Sequence, residues 1–246
     1  MKNITHVIYT GPSLYDGKPI VVLYQAGSTN SKTGNMAQTF ILRADVDPIT
    51  ANRTGEDKAI CGDCVHMGKP NANGKGQATG RTCYVTLAHG PNGKYKAYKK
   101  GRYAAAEGHR AIESLGNGQV VRLGTYGDPA AVPQYIWDSL LSRAKGHTAY
   151  THGKINPSPE TIMTSAESLS QAKAAWQRGE RTFRVLSDVA SLDKGEVLCP
   201  ASEEAGRKAN CLSCKLCAGS GVKSPKSVAI VAHGTSKRAA KALVQA

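Results

Sequence analysis

The stretch QVVRLGTYGDPAAVPQYIWDSLLSRAKGHTAYTHG, residues 119–153, contains two strand-forming segments on either side of a helix-forming one. Val, Leu and Tyr predict a strand at 119–128, a helix follows at 130–145, and 147–153 returns to β-forming residues. Two strands connected through a helix are parallel, because a parallel pair needs a crossover connection. The stretch therefore predicts an α/β fold with a parallel sheet.

The alternation of strand and helix continues towards the end of the chain. Polar residues repeatedly follow the apolar runs, and turn residues separate them. Further strands are predicted at 160–168, 181–188, 195–200 and 226–234, and further helices at 169–179 and 235–246. Five or six parallel strands of this kind form an open sheet or a partial barrel.

The first third of the chain has a different character. Short runs rich in Val, Ile and Tyr predict an antiparallel meander with strands at 5–11, 19–26 and 36–45. Between the meander and the parallel strands we expect a strand at 82–90 and an interrupted helix at 98–115. The predicted fold class is thus α/β, a partial parallel (βα) barrel preceded by an antiparallel β meander.

We expect all 246 residues to form a single domain. Apolar residues make up 40% of the chain, which is enough for a full core. The successive parts are a β meander (1–60), a Cys/Gly-rich metal loop and strand (61–90), a βα core (91–234) with a Cys-rich insertion (199–217), and a basic C-terminal helix (235–246).

Polar side chains follow almost every predicted parallel strand. They are Asp128, His152, Glu167, Asp188, Cys199 and His233. Ligands of such folds bind at the carboxyl ends of the strands, so we expect a functional edge there. The candidate catalytic residues, which would orient a substrate, are Asp128, Glu167 and Asp188, and the candidate cofactor-binding residues are Gly124, Gly127 and His152. The alternative for Asp128 is the N-cap of the helix that follows it.

The seven cysteines indicate metal binding. A chain that stays in a reducing compartment uses such cysteines for metal rather than for disulfides. CLSCKLC, residues 211–217, has the C-x2-C-x2-C spacing of ferredoxin-type [4Fe–4S] ligands, and zinc is the alternative metal. The predicted metal ligands are Cys61, Cys64, Cys83, Cys199, Cys211, Cys214 and Cys217.

Two partitions of these cysteines are open at the level of sequence. In the first, the last four saturate one centre, and the first three need His66, His89, a substrate or solvent as a fourth ligand. In the second, Cys199 joins the first three, and Cys211, Cys214 and Cys217 form a centre with an open position. An open position is what a catalytic metal requires.

The net charge of +14 favours a polyanionic partner, so nucleic acid or a nucleotide is expected. Residues 65–106 and 205–246 each carry eight Lys or Arg and no Asp or Glu. Neither a secretory signal nor a membrane-spanning stretch is apparent, which predicts a cytoplasmic protein without a membrane partner.

Two polar segments carry further hypotheses. GSTNSKTGNM, residues 27–36, could bind phosphate through backbone N–H groups, and the alternative is an ordinary hairpin loop, which has the same composition. KYKAYKKGRY, residues 94–103, interleaves cations with Tyr rings, as in sites for single-stranded nucleic acid, or forms an ordinary basic surface.

Six stretches spread over much of the chain form a pattern: VIYTGPSLYDGKPIVVLY, STNSKTGNMAQTFILR, CGDC, RTCYV, VRLGTYGDPAAVP and CPASEEAGRKANCLSCKLC. Together they resemble a family of cysteine-rich proteins of tailed phages and prophages, the gene product eighty-eight-like proteins. The resemblance implies a phage protein located in the cytoplasm of the infected or lysogenic bacterial host.

A more distant similarity is to the radical S-adenosylmethionine barrels. These use a CxxxCxxC motif and place S-adenosylmethionine on the open iron of a [4Fe–4S] cluster, whereas Cys61 and Cys64 here are separated by two residues. The resulting hypotheses are an iron–sulfur enzyme of radical or redox type acting on a nucleotide or nucleic acid, a metal-stabilised nucleic-acid-binding protein without catalytic activity, and a host-takeover factor that binds a host protein.

Overall fold

The computed structural model describes residues 4–245 and begins with the antiparallel meander. Its strands are β1 (Thr5–Pro12), β2 (Pro19–Gln25) and β3 (Ala37–Arg43). β2 pairs antiparallel with both neighbours. Every residue of β3 is buried, as are Ile20–Tyr24 of β2, so these strands form the centre of the core. The predicted meander strands are confirmed to within a residue or two.

The remaining strands are short and pair in parallel with their neighbours. They are β4 (Ala104–Ala105), β5 (Val120–Tyr126), β6 (Gly146–Thr148), β7 (Tyr150–Thr151), β8 (Met163–Ala166), β9 (Thr182–Leu186), β10 (Glu196–Leu198) and β11 (Ser227–Val231). One sheet has six strands in the order β4-β1-β2-β3-β5-β6, and the other has five in the order β10-β11-β9-β8-β7. Only Ala149 separates β6 from β7, so the chain passes directly from one sheet to the other.

Helices connect the strands, and the α/β class is therefore confirmed. They are α1 (Pro48–Thr54), α2 (Lys58–Cys61), α3 (Gly90–Lys99), α4 (His109–Gly116), α5 (Gln134–Leu141), α6 (Leu169–Gln177), α7 (Cys211–Cys214) and α8 (Lys237–Gln245). Ser168 starts α6 by accepting a hydrogen bond from Gln171 N–H, which is the usual role of an N-cap serine. Residues 1–3 of the predicted meander segment and residue 246 of the predicted C-terminal helix lie outside the described residues.

Two sequence predictions are wrong between the meander and β5. Residues 82–90 form no strand, because the N–H groups of Thr82 and Cys83 both bond to the His66 carbonyl instead of to a neighbouring strand. Tertiary contacts outweigh the β propensity of this segment. The helix expected at 98–115 is two helices, α3 and α4, and the positive φ values of Gly101 (63°) and Gly108 (80°) interrupt it.

No helix within residues 4–245 has both the length and the apolar run that crossing a membrane requires.

The turn after β5 depends on glycine for packing. Gly127 has φ of 82°, and a Cβ there would lie 2.6 Å from Ile41 Cβ and 2.7 Å from Ile41 O. Gly124 has φ of 64°, and a Cβ there would lie 2.5 Å from Gly127 O. The pair therefore lets the end of β5 turn tightly against β3, and this packing role accounts for both glycines without a cofactor.

Gly127→Ala is expected to lower the free energy of unfolding by about 3 kcal/mol, since strain at positive φ and overpacking add together. Chemical denaturation followed by circular dichroism measures this loss. Gly17→Ala is the matched control, because Gly17 has φ of 74° and a Cβ there would meet nothing within 4 Å. Equal losses in the two variants would contradict the packing role of Gly127.

Candidate metal centres

Three of the predicted strand-end residues meet at one edge of the sheets. Asp128, His152 and Glu167 follow β5, β7 and β8. The His152 ring donates through Nδ1–H to Glu167 Oε1 at 2.8 Å, and the His152 backbone N–H donates to Asp128 Oδ2 at 2.7 Å. The expectation that parallel strand ends gather polar side chains is met for this trio.

Asp128 holds His152 in place, and both of its carboxylate oxygens accept hydrogen bonds inside the protein. Its Oδ1 accepts from Ala130 N–H at 2.9 Å, and its Oδ2 also accepts from Thr151 Oγ1 at 3.0 Å. The residue is buried, and burial raises the pKa of its carboxyl group. It caps the 3-10 turn Pro129–Ala131 and not the predicted helix, which begins after Pro133. Asp128 is therefore a positioning residue for the strand end that carries His152.

Asp188 does not join the trio. It is exposed and caps the short 3-10 turn Val189–Ser191 by accepting from Ser191 N–H at 3.2 Å. The structure therefore gives it a local capping role in place of the predicted orientation of a substrate. Among the three predicted catalytic residues, Glu167 alone contacts the ring of His152.

The first cysteine set comprises Cys61, Cys64 and Cys83. Gly62, with φ of 58°, ends α2 and allows the turn in which Cys64 N–H bonds to Cys61 O at 3.2 Å. Cys83 reaches the same place because its N–H donates to His66 O at 2.9 Å. Burial raises the pKa of the Cys61 thiol well above its usual range, and Asp57 and the other two thiols add to the effect. All three thiols therefore lie close together.

His152 completes the surroundings of the first cysteine set. Burial alone would lower the pKa of this imidazole, but the nearby Cys64 side chain and Glu167 raise it well above its usual range. Its Nδ1 is engaged by Glu167, which leaves Nε2 for a metal. A carboxylate on the second ring nitrogen is the usual arrangement behind a metal-bound histidine.

His66 lies beside the first cysteine set and contacts the carboxylate oxygen of Glu167 that His152 leaves free. Its Nδ1 bonds to Thr82 Oγ1 at 2.7 Å, and its Nε2 lies 3.5 Å from Glu167 Oε2. Although burial would raise the pKa of Glu167, hydrogen bonds from His152 and His66 lower it to about 2. His89, the other histidine proposed from the sequence, precedes α3. Neither histidine takes the position that His152 occupies.

The C-terminal cysteine set comprises Cys199, Cys211, Cys214 and Cys217. All four line one small cavity of about 20 Å³, together with Tyr150 and Thr148. Burial raises the pKa of the Cys217 thiol to about 12. The structure thus follows the four-plus-three partition and not the one that would group Cys199 with the first cysteine set.

The local backbone conformation places these four cysteines around the same small cavity. Cys211 and Cys214 begin and end the single turn of α7, which Asn210 and Ser213 close with a reciprocal capping box. Lys215 then takes φ of 55°, the one non-glycine residue with positive φ among residues 4–245, and this turns Cys217 back. A non-glycine residue in this region marks a position where the surrounding structure holds the backbone.

Arg181 fixes the chain that follows Cys217. Its guanidinium donates to Leu216 O at 2.8 Å, to Gly219 O at 2.7 Å and to Lys226 O at 2.9 Å. A planar guanidinium suits such a cluster of acceptors. One side chain from the start of β9 therefore satisfies the carbonyl groups of a segment that has no sheet partners of its own.

Comparison with protein-family models, with curated protein sequences and with solved structures finds no match to this chain.

All seven cysteines are free thiols. Within residues 4–245, no group of three or more His, Cys, Asp or Glu side chains is placed so that it could hold a metal ion. The two sets are candidate ligand sets whose thiols would rotate to reach a metal.

Sequence reasoning missed two residues beside the cysteines. Arg122 of β5 donates to the Tyr84 hydroxyl, and its charge lies close enough to Cys211 and Cys217 to stabilise an anion there. Tyr84 directly follows Cys83, so this pair spans the gap between the two sets. Arg122 lies within a predicted strand, and its position in the sequence carries no signal of this contact.

Proposed function

We propose that the chain is a phage iron–sulfur protein of redox type that acts on a nucleotide or nucleic acid. The observation that carries the proposal is the separation of seven free thiols into a group of four around one cavity and a group of three beside His152. The gene product eighty-eight-like resemblance supports the phage origin and a cytoplasmic location in the bacterial host.

The C-terminal cysteine set is the proposed [4Fe–4S] site. Four thiolates are what such a cluster takes, and C-x2-C-x2-C supplies three of them from one segment. The cluster would supply one-electron transfer. Arg122 would stabilise the added negative charge, and the Tyr150 hydroxyl would hydrogen-bond to the Cys217 sulfur, both of which tune a reduction potential.

The first cysteine set and His152 form the second proposed centre. Three thiolates and one imidazole complete a four-coordinate site, for which zinc or iron is suitable. Glu167 would hold the Nδ1 proton of His152 and so direct Nε2 to the metal. Because His152 would fill the fourth position, this centre would have no open position for S-adenosylmethionine.

The charge distribution supports a nucleotide or nucleic acid as partner. Residues 65–106 and 205–246 contain the first set's Cys83 and most of the C-terminal set, and both stretches are basic without a single acid. Positive potential concentrates anionic ligands near such surfaces. The proposed centres would therefore lie within the basic part of the chain.

A second candidate is a metal-stabilised protein that binds nucleic acid, or a host protein during takeover, without catalysis. The observation that favours it is the count of ligands, because four ligands for each centre leave no position for a substrate. Closed sites of this kind are typically structural. Zinc in both centres would fit this candidate.

Anaerobic purification followed by iron, sulfide and zinc analysis tests the proposal. We expect about four iron and about four sulfide per chain, with a brown colour that dithionite bleaches. Cys214→Ser should remove the iron and sulfide but leave the second metal, whereas Cys64→Ser should do the reverse. Zinc in both centres without sulfide would contradict the iron–sulfur proposal in favour of the second candidate, and a metal-free folded chain would contradict both.

A further inference from the structure

A cavity of about 490 Å³ lies between the meander and α3, and none of the residues that line it is a cysteine. Its volume falls within the range of small-molecule sites. Its rim comes from the loop Ser28–Asn30, and its far wall comes from Lys94 and Tyr103. The two polar segments that the sequence singled out, 27–36 and 94–103, therefore face each other across one space.

Lys94 brings an unneutralised cation to this cavity. Its Nζ lies 4.9 Å from the centroid of the Phe40 ring, 5.9 Å from that of Tyr103, and 3.4 Å from Thr5 Oγ1. Burial lowers the pKa of Lys94 to about 8, and no neighbouring carboxylate among residues 4–245 counteracts it. Half-buried lysines without a carboxylate partner are uncommon, because an unpaired charge is costly to bury.

The wall also contains two neutral polar side chains. Gln38, which is only 6% exposed, lines the cavity. Thr125 Oγ1 is buried and has no hydrogen-bond partner in the part of the chain that the structure describes. Buried polar groups are nearly always hydrogen-bonded, so Thr125 Oγ1 is available to a ligand.

We propose that this cavity binds a nucleoside monophosphate. Lys94 would bind the phosphate, the Phe40 and Tyr103 rings would contact the base, and Gln38 and Thr125 would donate or accept hydrogen bonds. One free cation suits one phosphate, and the aromatic walls suit a planar ring. The inference rests on the nucleotide part of the proposed function and names its site.

The rim loop also connects this cavity to the C-terminal cysteine set. Cys211 N–H donates to Lys32 O, and Leu212 N–H donates to Thr33 O, each at 3.1 Å. A Cβ at Gly34 would come 3.0 Å from Leu212 Cβ, so the contact is close. The loop at 27–36 thus contributes to the cavity at one end and contacts the segment of the C-terminal cysteine set at the other.

Isothermal titration calorimetry of the metal-loaded full chain tests the proposal. The probes are the 5′-monophosphates of adenosine, guanosine, cytidine and uridine, the corresponding nucleosides, and inorganic phosphate. We expect saturable binding of at least one monophosphate and weaker binding of its nucleoside and of phosphate alone. Lys94→Met should weaken binding roughly tenfold or more, since a charge-assisted hydrogen bond is lost.

Lys96→Met is the matched control, because Lys96 is an exposed lysine on the same helix. It should leave the dissociation constant within about twofold, since its charge is screened by solvent. Thr125→Val keeps the shape of the side chain and should also weaken binding. Equal effects of Lys94→Met and Lys96→Met, phosphate binding as tight as the nucleotide, or no binding heat with any probe would overturn the proposal. The metal content of the same samples reports separately on the proposed metal centres.

Discussion

Cys217→Ser is expected to melt far below the wild-type protein when both are purified with metal, because it removes one of the four proposed ligands in the C-terminal cysteine set. The segment from Cys199 to Lys226 contains only a 3-10 turn and the single turn of α7. The fully buried cluster beneath it contains Met163, Cys217 and Val228. So small a core cannot by itself hold a segment of this length.

The metal is expected to supply what the core lacks. Binding of a structural metal is worth on the order of 10 kcal/mol in small thiolate sites. That is comparable with the whole stability of an ordinary domain, about 5–15 kcal/mol. Loss of a ligand should therefore unfold the segment and expose the sheet edge beneath it.

Scanning calorimetry under anaerobic conditions measures the effect in four samples, wild type and Cys217→Ser, each with and without metal. Without metal the two should differ by only about 1–3 kcal/mol, the cost of burying a hydroxyl in place of a thiol. With metal the difference should be several times larger. Lys223→Ala, an exposed change in the same segment, is the control. Wild-type melting and metal content in Cys217→Ser would show that this cysteine is not a ligand.

The strands were predictable because their signal is local. Alternating or continuous runs of Val, Ile and Tyr located β2, β3 and β5 to within two residues, and parallel pairing then placed Asp128, His152 and Glu167 at one edge. The segment 82–90 was mispredicted because its conformation depends on hydrogen bonds to the carbonyl of His66, sixteen residues before Thr82. A contact over that distance leaves no local pattern in the sequence.

The cysteine partition required three-dimensional information. The spacing in the sequence was enough to group Cys211, Cys214 and Cys217. It could not show which group Cys199 belongs to, because Cys199 follows β10 and its neighbours depend on the order of the strands in the sheet. His152 was expected at a functional edge as a cofactor residue, yet its place beside Cys64 depends on pairing between β7 and β8. Asp188 follows β9 as regularly as Glu167 follows β8, and only the structure shows that it caps a turn.

The second large effect is expected at a buried ion pair between β9 and β10. Arg184 donates through Nε to Glu196 Oε1 at 2.8 Å and through Nη2 to Glu196 Oε2 at 2.6 Å, with side chains 8% and 0% exposed. β11 lies between these two strands in the sheet, so the pair bridges strands that are not neighbours. Arg184 also donates to Ser191 O, and Glu196 accepts from Asp193 N–H.

Arg184→Met is expected to destabilise the protein by about 3–5 kcal/mol, because it leaves the Glu196 carboxylate buried without its cation. Arg178→Met is the matched control, since Arg178 makes the same two-pronged contact with Glu180 but is largely exposed. Exposed pairs contribute little, so its unfolding curve should stay close to that of wild type.

The double variant Arg184→Met, Glu196→Leu separates the two explanations for this loss. If the cost of the single change is the unpaired charge, replacing both partners by apolar side chains should recover most of it. If the pair instead contributes strongly in its own right, the double variant should be at least as unstable as the single one. Urea denaturation of the four proteins decides between them, and we expect the recovery, because desolvation of two fully buried charges offsets most of their attraction.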